Sequence, residues 1–406
     1  MKILILTQYY PPETGAPQNR LSSLAVCLQS FGNEVEVLTA MPNYPKYKIF
    51  EDYKHKKFYK ENIDNITVYR SYIFVTNKKA LFFRLMNYFS FTVSSYFIAL
   101  KHISKPDAVI CESPPLFLGI TAMRLKKRWK CKLIFNVSDL WPESAEKMGL
   151  VKNRWLLRRS YSLANKIYKN SDLITGQTQG IVEAIKKMQP AKKVFWLPNG
   201  IDRQKLSFSS NGLPSKKEKF TLLYAGIIGH AQGLEVILHA AHKLEQRTEI
   251  QFYIIGDGPV KKNLVALNQS LHLSNVTFIS NQPLNIITQW LQHCDAYIVP
   301  LRKLDLFKGA IPSKLFEPLF FAKSILLGVE GEAKELFIDE GKAGLFFEPE
   351  NADDLAKNIL QLFNNPDEAK LFGENGKKFV DQNFQREKIA AKFWEELKLL
   401  CAPGGT

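Results

Sequence analysis

Short apolar runs alternate along the chain with longer stretches whose apolar residues recur every three or four positions. In the first half, Lys2–Thr7, Glu34–Leu38, Thr67–Tyr72, Asp107–Cys111, Lys132–Val137, Asp172–Thr175 and Val194–Leu197 predict strands. These runs are nearly continuous in apolar residues, as strands covered on both faces should be. Helical patterns such as Asn19–Phe31 and Leu116–Trp129 separate most of them. Such alternation predicts a parallel α/β sheet. Residues 207–219 read SFSSNGLPSKKEK, polar and punctuated by Gly and Pro, and predict an interdomain linker. The pattern then restarts, with strands predicted at Thr221–Ala225, Gln251–Ile255, Val276–Ile279, Ala296–Val299 and Ser324–Leu327. Gln385–Leu400 predicts one more amphipathic helix, with Ile389, Phe393, Trp394 and Leu397 on one side. The expected fold class is therefore α/β, with two tandem parallel-sheet domains over residues 1–206 and 220–384.

Composition narrows the function classes. The chain has 406 residues, 46% hydrophobic and 23% charged, which excludes disorder, collagen and a disulfide scaffold. Five cysteines (Cys27, Cys111, Cys131, Cys294, Cys401) are scattered without a CxxC, which argues for a reducing compartment and against structural zinc. Residues 1–206 hold 33 Lys/Arg against 15 Asp/Glu, whereas residues 207–406 hold 22 against 24. All of the net charge of +16 thus lies in the first half. Such a field attracts an anionic partner: a membrane surface, phosphates or nucleic acid. The basic residues are not interleaved with an aromatic stacking platform and no nucleic-acid motif is present, which disfavours nucleic acid.

The N-terminal residues run straight into a strand pattern and lack the cleavage site of a signal peptide. Leu81–Leu100 is the one stretch to weigh as a membrane span. Arg84 and Asn87 interrupt its start, and the uncharged run Leu85–Leu100 is shorter than the roughly 20 residues a span needs. Two readings stay open: a helix packed in the core, or a helix lying on a bilayer with Lys78, Lys79, Arg84, Lys101 and Lys105 on lipid phosphates.

Ligands of open α/β sheets bind beyond the carboxyl ends of the strands, and two such domains make the cleft between them the expected site. After the first strand, Gly15 stands before a helix whose amides suit a phosphate. This loop is neither GxGxxG nor a Walker loop, so a nicotinamide dinucleotide or P-loop nucleotide is poorly supported. Asp139 follows the strand at 132–137, where a helix N-cap and a catalytic group are both possible readings. In the second half, Gly226, the Gly-Asp-Gly at 256–258 and the run Ile311-Pro-Ser-Lys-Leu-Phe-Glu stand after strands. Ser313 and Lys314 at a helix start offer amides, a hydroxyl and a cation to a diphosphate. Glu317, one turn on, has the reach to accept hydrogen bonds from two ribose hydroxyls. With no HExxH and no Asp-x-Asp, metal is not expected.

Taken in order, YYPPETGA, SDLITGQTQGI, LPNGID (197–202), LLYAG (222–226), IIGDGP (254–259) and SKLFEPLFFAKSIL (313–326) resemble glycosyltransferase family 4. These are retaining enzymes of the GT-B fold, in which two Rossmann-like domains face across a cleft. DLWPES and IPSKLFE look like the branch building bacterial surface polysaccharides, which includes the N-acetyl-L-fucosamine transferases of O-antigen and capsule assembly. The resemblance implies a UDP-sugar donor, an N-acetylated amino sugar among the candidates. It implies a polyprenyl-diphosphate-linked sugar as acceptor and a cytoplasmic enzyme peripheral on the inner face of the membrane. It puts the acceptor on the first domain, the nucleotide on the second, and the C-terminal helix 385–400 back against the first.

Carried over by position, Gly15, Gly226, Ser313 and Lys314 would meet the donor diphosphate, Glu317 the ribose, and Asn281 the uracil. Asp139 falls where many members carry a His near the reacting carbon. The first Glu of the family's E-x7-E motif falls at Gly309, and two diphosphate-binding cations fall at Ile227 and Gln232. Lys314 with Arg302 or Lys303 is expected to replace those cations, and His230 to add a hydrogen bond. The alternative on the same fold is a UDP-sugar 2-epimerase, which needs acid and base groups at the first domain's strand ends.

Overall fold

The computed structural model describes residues 1–44, 47–78, 80–149, 151, 153–203, 206 and 219–402. The chain divides into two compact units, Met1–Asn199 with Arg386–Thr406, and Gly200–Gln385. The linker expected over 207–219 lies, up to residue 218, outside the described residues. Residues just past Asn199 go with the second unit, where Ile201 N donates to Phe384 O at 2.8 Å.

The first unit is built on strands β1 (Lys2–Leu6), β2 (Glu34–Ala40), β3 (Phe58–Ile63), β4 (Ile66–Ser71), β5 (Ala108–Ser113), β6 (Lys132–Val137), β7 (Leu173–Gly176) and β8 (Val194–Trp196). Its helices are α1 (Ala16–Ser30), α2 (Leu81–His102), α3 (Leu118–Trp129), α4 (Glu143–Lys147), α5 (Arg154–Asn170) and α6 (Gln179–Met188). The sheet order is β3-β4-β2-β1-β5-β6-β7-β8, parallel except for the β3–β4 pair. Period-2 alternation sorts the core. Ile3 and Ile5 point toward α1, while Leu4 and Leu6 join the cluster under α2, α3, α5 and α6. The C-terminal helix Arg386–Cys401 packs on α1 through Ala390, Phe393 and Leu397.

The second unit has β9 (Phe220–Ala225), β10 (Ile250–Ile255), β11 (Val276–Ile279), β12 (Ala296–Pro300), β13 (Ser324–Gly328) and β14 (Gly344–Phe346). Its helices are α7 (Glu235–Lys243), α8 (Lys261–Ser270), α9 (Leu284–His293), α10 (Phe316–Phe320), the short α11 (Glu332–Lys334), α12 (Ala352–Asn364) and α13 (Pro366–Asn383). The order β11-β10-β9-β12-β13-β14 is parallel throughout. In each unit the strand order reverses at one place, between β1 and β5 and between β9 and β12. Open α/β sheets bind ligands at such switch points, beyond the carboxyl ends of the strands.

Two strands were not expected from the pattern. β3 reads FYKENI, with one charged residue on each face, Lys60 and Glu61, and no fully buried position, and it pairs antiparallel to β4 as a sheet edge. β14 is three residues long, too short for a periodicity to register. The core-helix reading of the Leu81–Leu100 stretch describes only one face of α2. Phe91 and Ala99 are fully buried under the sheet, while Phe82 and Phe97 are 66% and 63% exposed. No helix among the described residues is long and apolar enough to cross a membrane.

Candidate functional site

In the first unit the switch point lies between the loops after β1 and β5. Gly15 is the N-cap of α1, in extended backbone, with Ala16 and Pro17 opening the helix. Its N-cap makes no side-chain capping bond and its first turn holds no acid, which leaves the helix's positive end without a counter-charge of its own. A Cβ at Gly15 would meet Gln18 Oε1 at 2.6 Å. That oxygen is buried and has no hydrogen-bond partner among the described residues. Glu13 holds the loop in place: its carboxylate accepts from Asn43 N at 2.7 Å and Tyr44 N at 2.8 Å. Burial raises the Glu13 pKa, and those backbone donors oppose the rise.

Asp139 stands two residues past β6 and is half-buried. Its carboxylate accepts from the Ser144 hydroxyl in the first turn of α4. The N-cap of α4 is Pro142, so Asp139 is not that helix's cap. Burial raises the Asp139 pKa, while hydrogen bonds from Ser144, Trp141 and Leu140 hold it down. A cavity of about 460 Å³ opens beside this turn, lined by Leu140, Trp141, Tyr161, Tyr168 and Met188 among others.

Beneath Asp139 lies a polar network that the sequence reading did not single out. Glu112, near the end of β5, is 1% exposed and pairs with Arg20 of α1, itself 6% exposed. Arg20 Nη2 donates to Ser138 Oγ at 2.7 Å, and Ser138 and Asn136 donate to Glu112. Thr175 Oγ1 extends the chain to Asn136 Oδ1 at 2.5 Å. The network ties α1, β5, β6 and β7 together where the Asp139 loop leaves the sheet. Its one sequence signal is an acid placed directly after an apolar strand run, with its cationic partner 92 residues away.

In the second unit, parallel pairing lines up the strand-end residues on one edge in the order Asn281, Gly256, Gly226, Arg302. Gly226 (φ 145°) and Gly256 (φ 151°) have backbones that side-chain-bearing residues rarely adopt. A Cβ at Gly256 would meet Gly226 O at 1.9 Å, so the two loops touch backbone to backbone. Gly226 N donates to Ile255 O and Ile228 N to Asp257 O, both at 2.9 Å.

Lys314 is brought to this place. Its Nζ donates to Tyr224 Oη at 2.7 Å and lies 3.1 Å from where a Gly226 Cβ would be. It also stands 4.2 Å from the centre of the Tyr224 ring. The residue as a whole is half-buried. Burial lowers its pKa to about 7, with the Glu317 charge opposing the drop. Ser313 opens the turn before α10, and Glu317 lies in the first turn of that helix.

The structure also shows what occupies the neighbouring positions. Ile227 is 53% exposed, and Gln232 folds back so that its side chain accepts from Gly229 N at 3.1 Å. Arg302 packs over Gly233 and reaches Glu235 at 3.4 Å. Lys303 is drawn away to Glu348 and, through its amide, to Glu350 at 2.9 Å. Asn281 is exposed just past β11.

Residues 18–205 match the family Glycosyltransferase Family 4, and residues 207–379 match Glycosyl transferases group 1. The chain is a family 4 glycosyltransferase. The transferase is 25% identical to the putative colanic acid biosynthesis glycosyl transferase WcaI of Escherichia coli K12, across 98% of this chain and 100% of that one. It is 23% identical to the O-antigen chain mannosyltransferase C of Escherichia coli over 59% of this chain and 64% of that one. Sucrose-phosphate synthase of Thermosynechococcus elongatus superposes with a TM-score of 0.77 at 15% identity, covering 98% of each chain. HepE of Anabaena, solved with UDP and glucose, superposes with a TM-score of 0.71 at 16% identity, covering 98% of this chain and 99% of that one. These likenesses and the two parallel-sheet units fit the GT-B fold. Both family matches are to transferases, so the epimerase alternative is not carried forward.

Proposed function

We propose that the enzyme transfers a sugar, with retention of configuration, from a UDP-sugar to a lipid-linked sugar in bacterial surface polysaccharide synthesis. The observation that carries the donor assignment is the Lys314 ammonium held against Gly226 and Tyr224 at the switch point of the second unit. A diphosphate beside Gly226 restores full charge to Lys314, and the Ser313 hydroxyl and nearby amides complete the cradle. Glu317 accepts from the ribose hydroxyls. Asn281 stands two strands from Gly226, about 10 Å along the sheet edge, which suits the distance from a diphosphate to its base. Arg302, beside the Gly226 loop, supplies a second cation. The diphosphate is thus neutralised without a metal.

In this reaction the bond from the sugar's anomeric carbon to the diphosphate oxygen breaks, and the acceptor hydroxyl attacks from the same face. The leaving diphosphate takes the acceptor's proton. Asp139, held by Ser144, orients the donor sugar and stabilises the positive charge that develops on its ring. The first unit, with its surplus of Lys and Arg, takes the anionic polyprenyl-diphosphate acceptor at the inner face of the membrane. WcaI and the O-antigen mannosyltransferase, by their names, act in colanic acid biosynthesis and on an O-antigen chain, which supports this class of product. The test is transfer of radiolabelled sugar from a panel of UDP-sugars to lipid-linked acceptor extracts. Labelled lipid is the expected product. Free isomerised UDP-sugar without acceptor would contradict the reading.

A further inference from the structure

The outward face of α2 is apolar where solvent would ordinarily select polar residues. Phe82, Met86, Phe89, Val93, Phe97 and Leu100 are all exposed, between 37% and 66%. At 3.6 residues per turn they form one stripe about 80° wide and about 27 Å long. The opposite face is satisfied: Phe91, Ser95 and Ala99 are fully buried. A soluble monomer rarely leaves so long a contiguous apolar strip uncovered.

The strip is set in a field of a single sign. Helices α2, α3 and α5 pack side by side on this face of the sheet. They carry two, four and five Lys or Arg respectively, and no Asp or Glu. A groove of about 880 Å³ opens on the same face, lined by Arg124, Lys127, Lys130, Lys132 and Lys166 among others. Its one acid, Asp172, is paired with Lys126 at 2.7 Å. The groove adjoins the strip, because the Arg124 guanidinium lies 5.9 Å from the ring centre of Tyr96 on α2. At the other end of α5, Trp155 is 66% exposed beneath Arg159, the amphipathic ring and cation pairing common at lipid headgroups.

We infer that the α2–α3–α5 face docks on an anionic lipid bilayer. The α2 strip lies in the plane of the interface, with its rings among the acyl chains. The Lys and Arg of α3 and α5 meet the lipid phosphates. A strip without charge would suit another protein copy equally well, but pairing this face with itself would set its cations against each other. The helix cannot span, so the docking is monotopic. This inference deepens the reading of a membrane-borne acceptor and rests on it for its purpose, though not for its observations.

Flotation with vesicles decides it, using the full chain. The wild type should float with mixed phosphatidylcholine–phosphatidylglycerol vesicles, less so in high salt, and not with phosphatidylcholine alone. F82E/F97E alters two exposed side chains and should lower vesicle partition by about tenfold or more. Its melting temperature and UDP titration should stay as in the wild type. R158E/K166E should lower partition as well and leave α2 intact. A wild type that stays unbound, or an F82E/F97E protein that floats undiminished, would overturn the inference. So would a dimer in solution that F82E/F97E makes monomeric. Loss of UDP binding in the wild type would instead count against the donor reading and leave the flotation result standing.

Discussion

Lys314 Nζ donates to the Tyr224 hydroxyl at 2.7 Å, across 90 residues of sequence. The phenol in turn donates to Ile227 O at 2.6 Å, so the ammonium is tied to the backbone of the loop that follows β9. Burial brings the Lys314 pKa to about 7, well below the ordinary 10.5. The ligand-free site therefore holds a cation that is only partly charged near neutrality. A bound diphosphate favours the charged form and recharges it.

The first prediction is a proton linked to nucleotide binding. Above pH 7 the free site has lost the Lys314 proton and the UDP complex has regained it. Binding should therefore take up a proton, and UDP affinity should fall as pH rises from 7 toward 10. Titration calorimetry at pH 8 in buffers of different ionisation enthalpy measures the uptake. It should vanish in Lys314→Met.

The same shift has the opposite sign for folding. Between pH 7 and 10.5 the unfolded chain holds the Lys314 proton and the ligand-free native chain does not. The unfolded state then binds more protons, so this group makes the native protein more stable as pH rises through that window. Urea denaturation at pH 7 and pH 9 should show less gain in Lys314→Met than in the wild type.

Glu317→Ala should weaken UDP binding by about 1.5–3 kcal/mol, the worth of a charged hydrogen bond. Unchanged UDP affinity would remove Glu317 from the nucleotide site.

Asp139→Asn should leave UDP affinity unaltered and reduce turnover, since the proposed role of Asp139 is toward the sugar rather than the nucleotide. An unchanged rate would reduce Asp139 to a structural acceptor for Ser144.

The Arg20–Glu112 pair is buried at both ends. Removing one partner leaves an uncompensated charge, so Arg20→Met should cost about 3–5 kcal/mol. R20M/E112Q should recover part of that loss. Denaturant unfolding of both single variants and the double variant measures the coupling.

Strand identity was legible because buried parallel strands are continuous apolar runs. β6 and β11 have the expected boundaries, Lys132–Val137 and Val276–Ile279. What escaped was whatever depends on a distant partner. β3 is recognisable only beside β4, and Glu112 has meaning only opposite Arg20. The run at Ile311–Glu317 was visible as a candidate phosphate site, but sequence gave no sign that Lys314 would lie on Tyr224. Nor did it show that the Gln232 side chain turns back on Gly229. The Leu81–Leu100 stretch kept two readings because periodicity marks an apolar residue without saying what covers it.

The most direct measurement is a calorimetric titration of UDP, ADP and GDP into the wild type and Lys314→Met at neutral pH. The account predicts that the wild type binds UDP in preference to ADP and GDP. It predicts that Lys314→Met, still folded, loses most of that affinity. Equal UDP affinity in the two proteins, or a wild type that prefers another nucleotide, would contradict it.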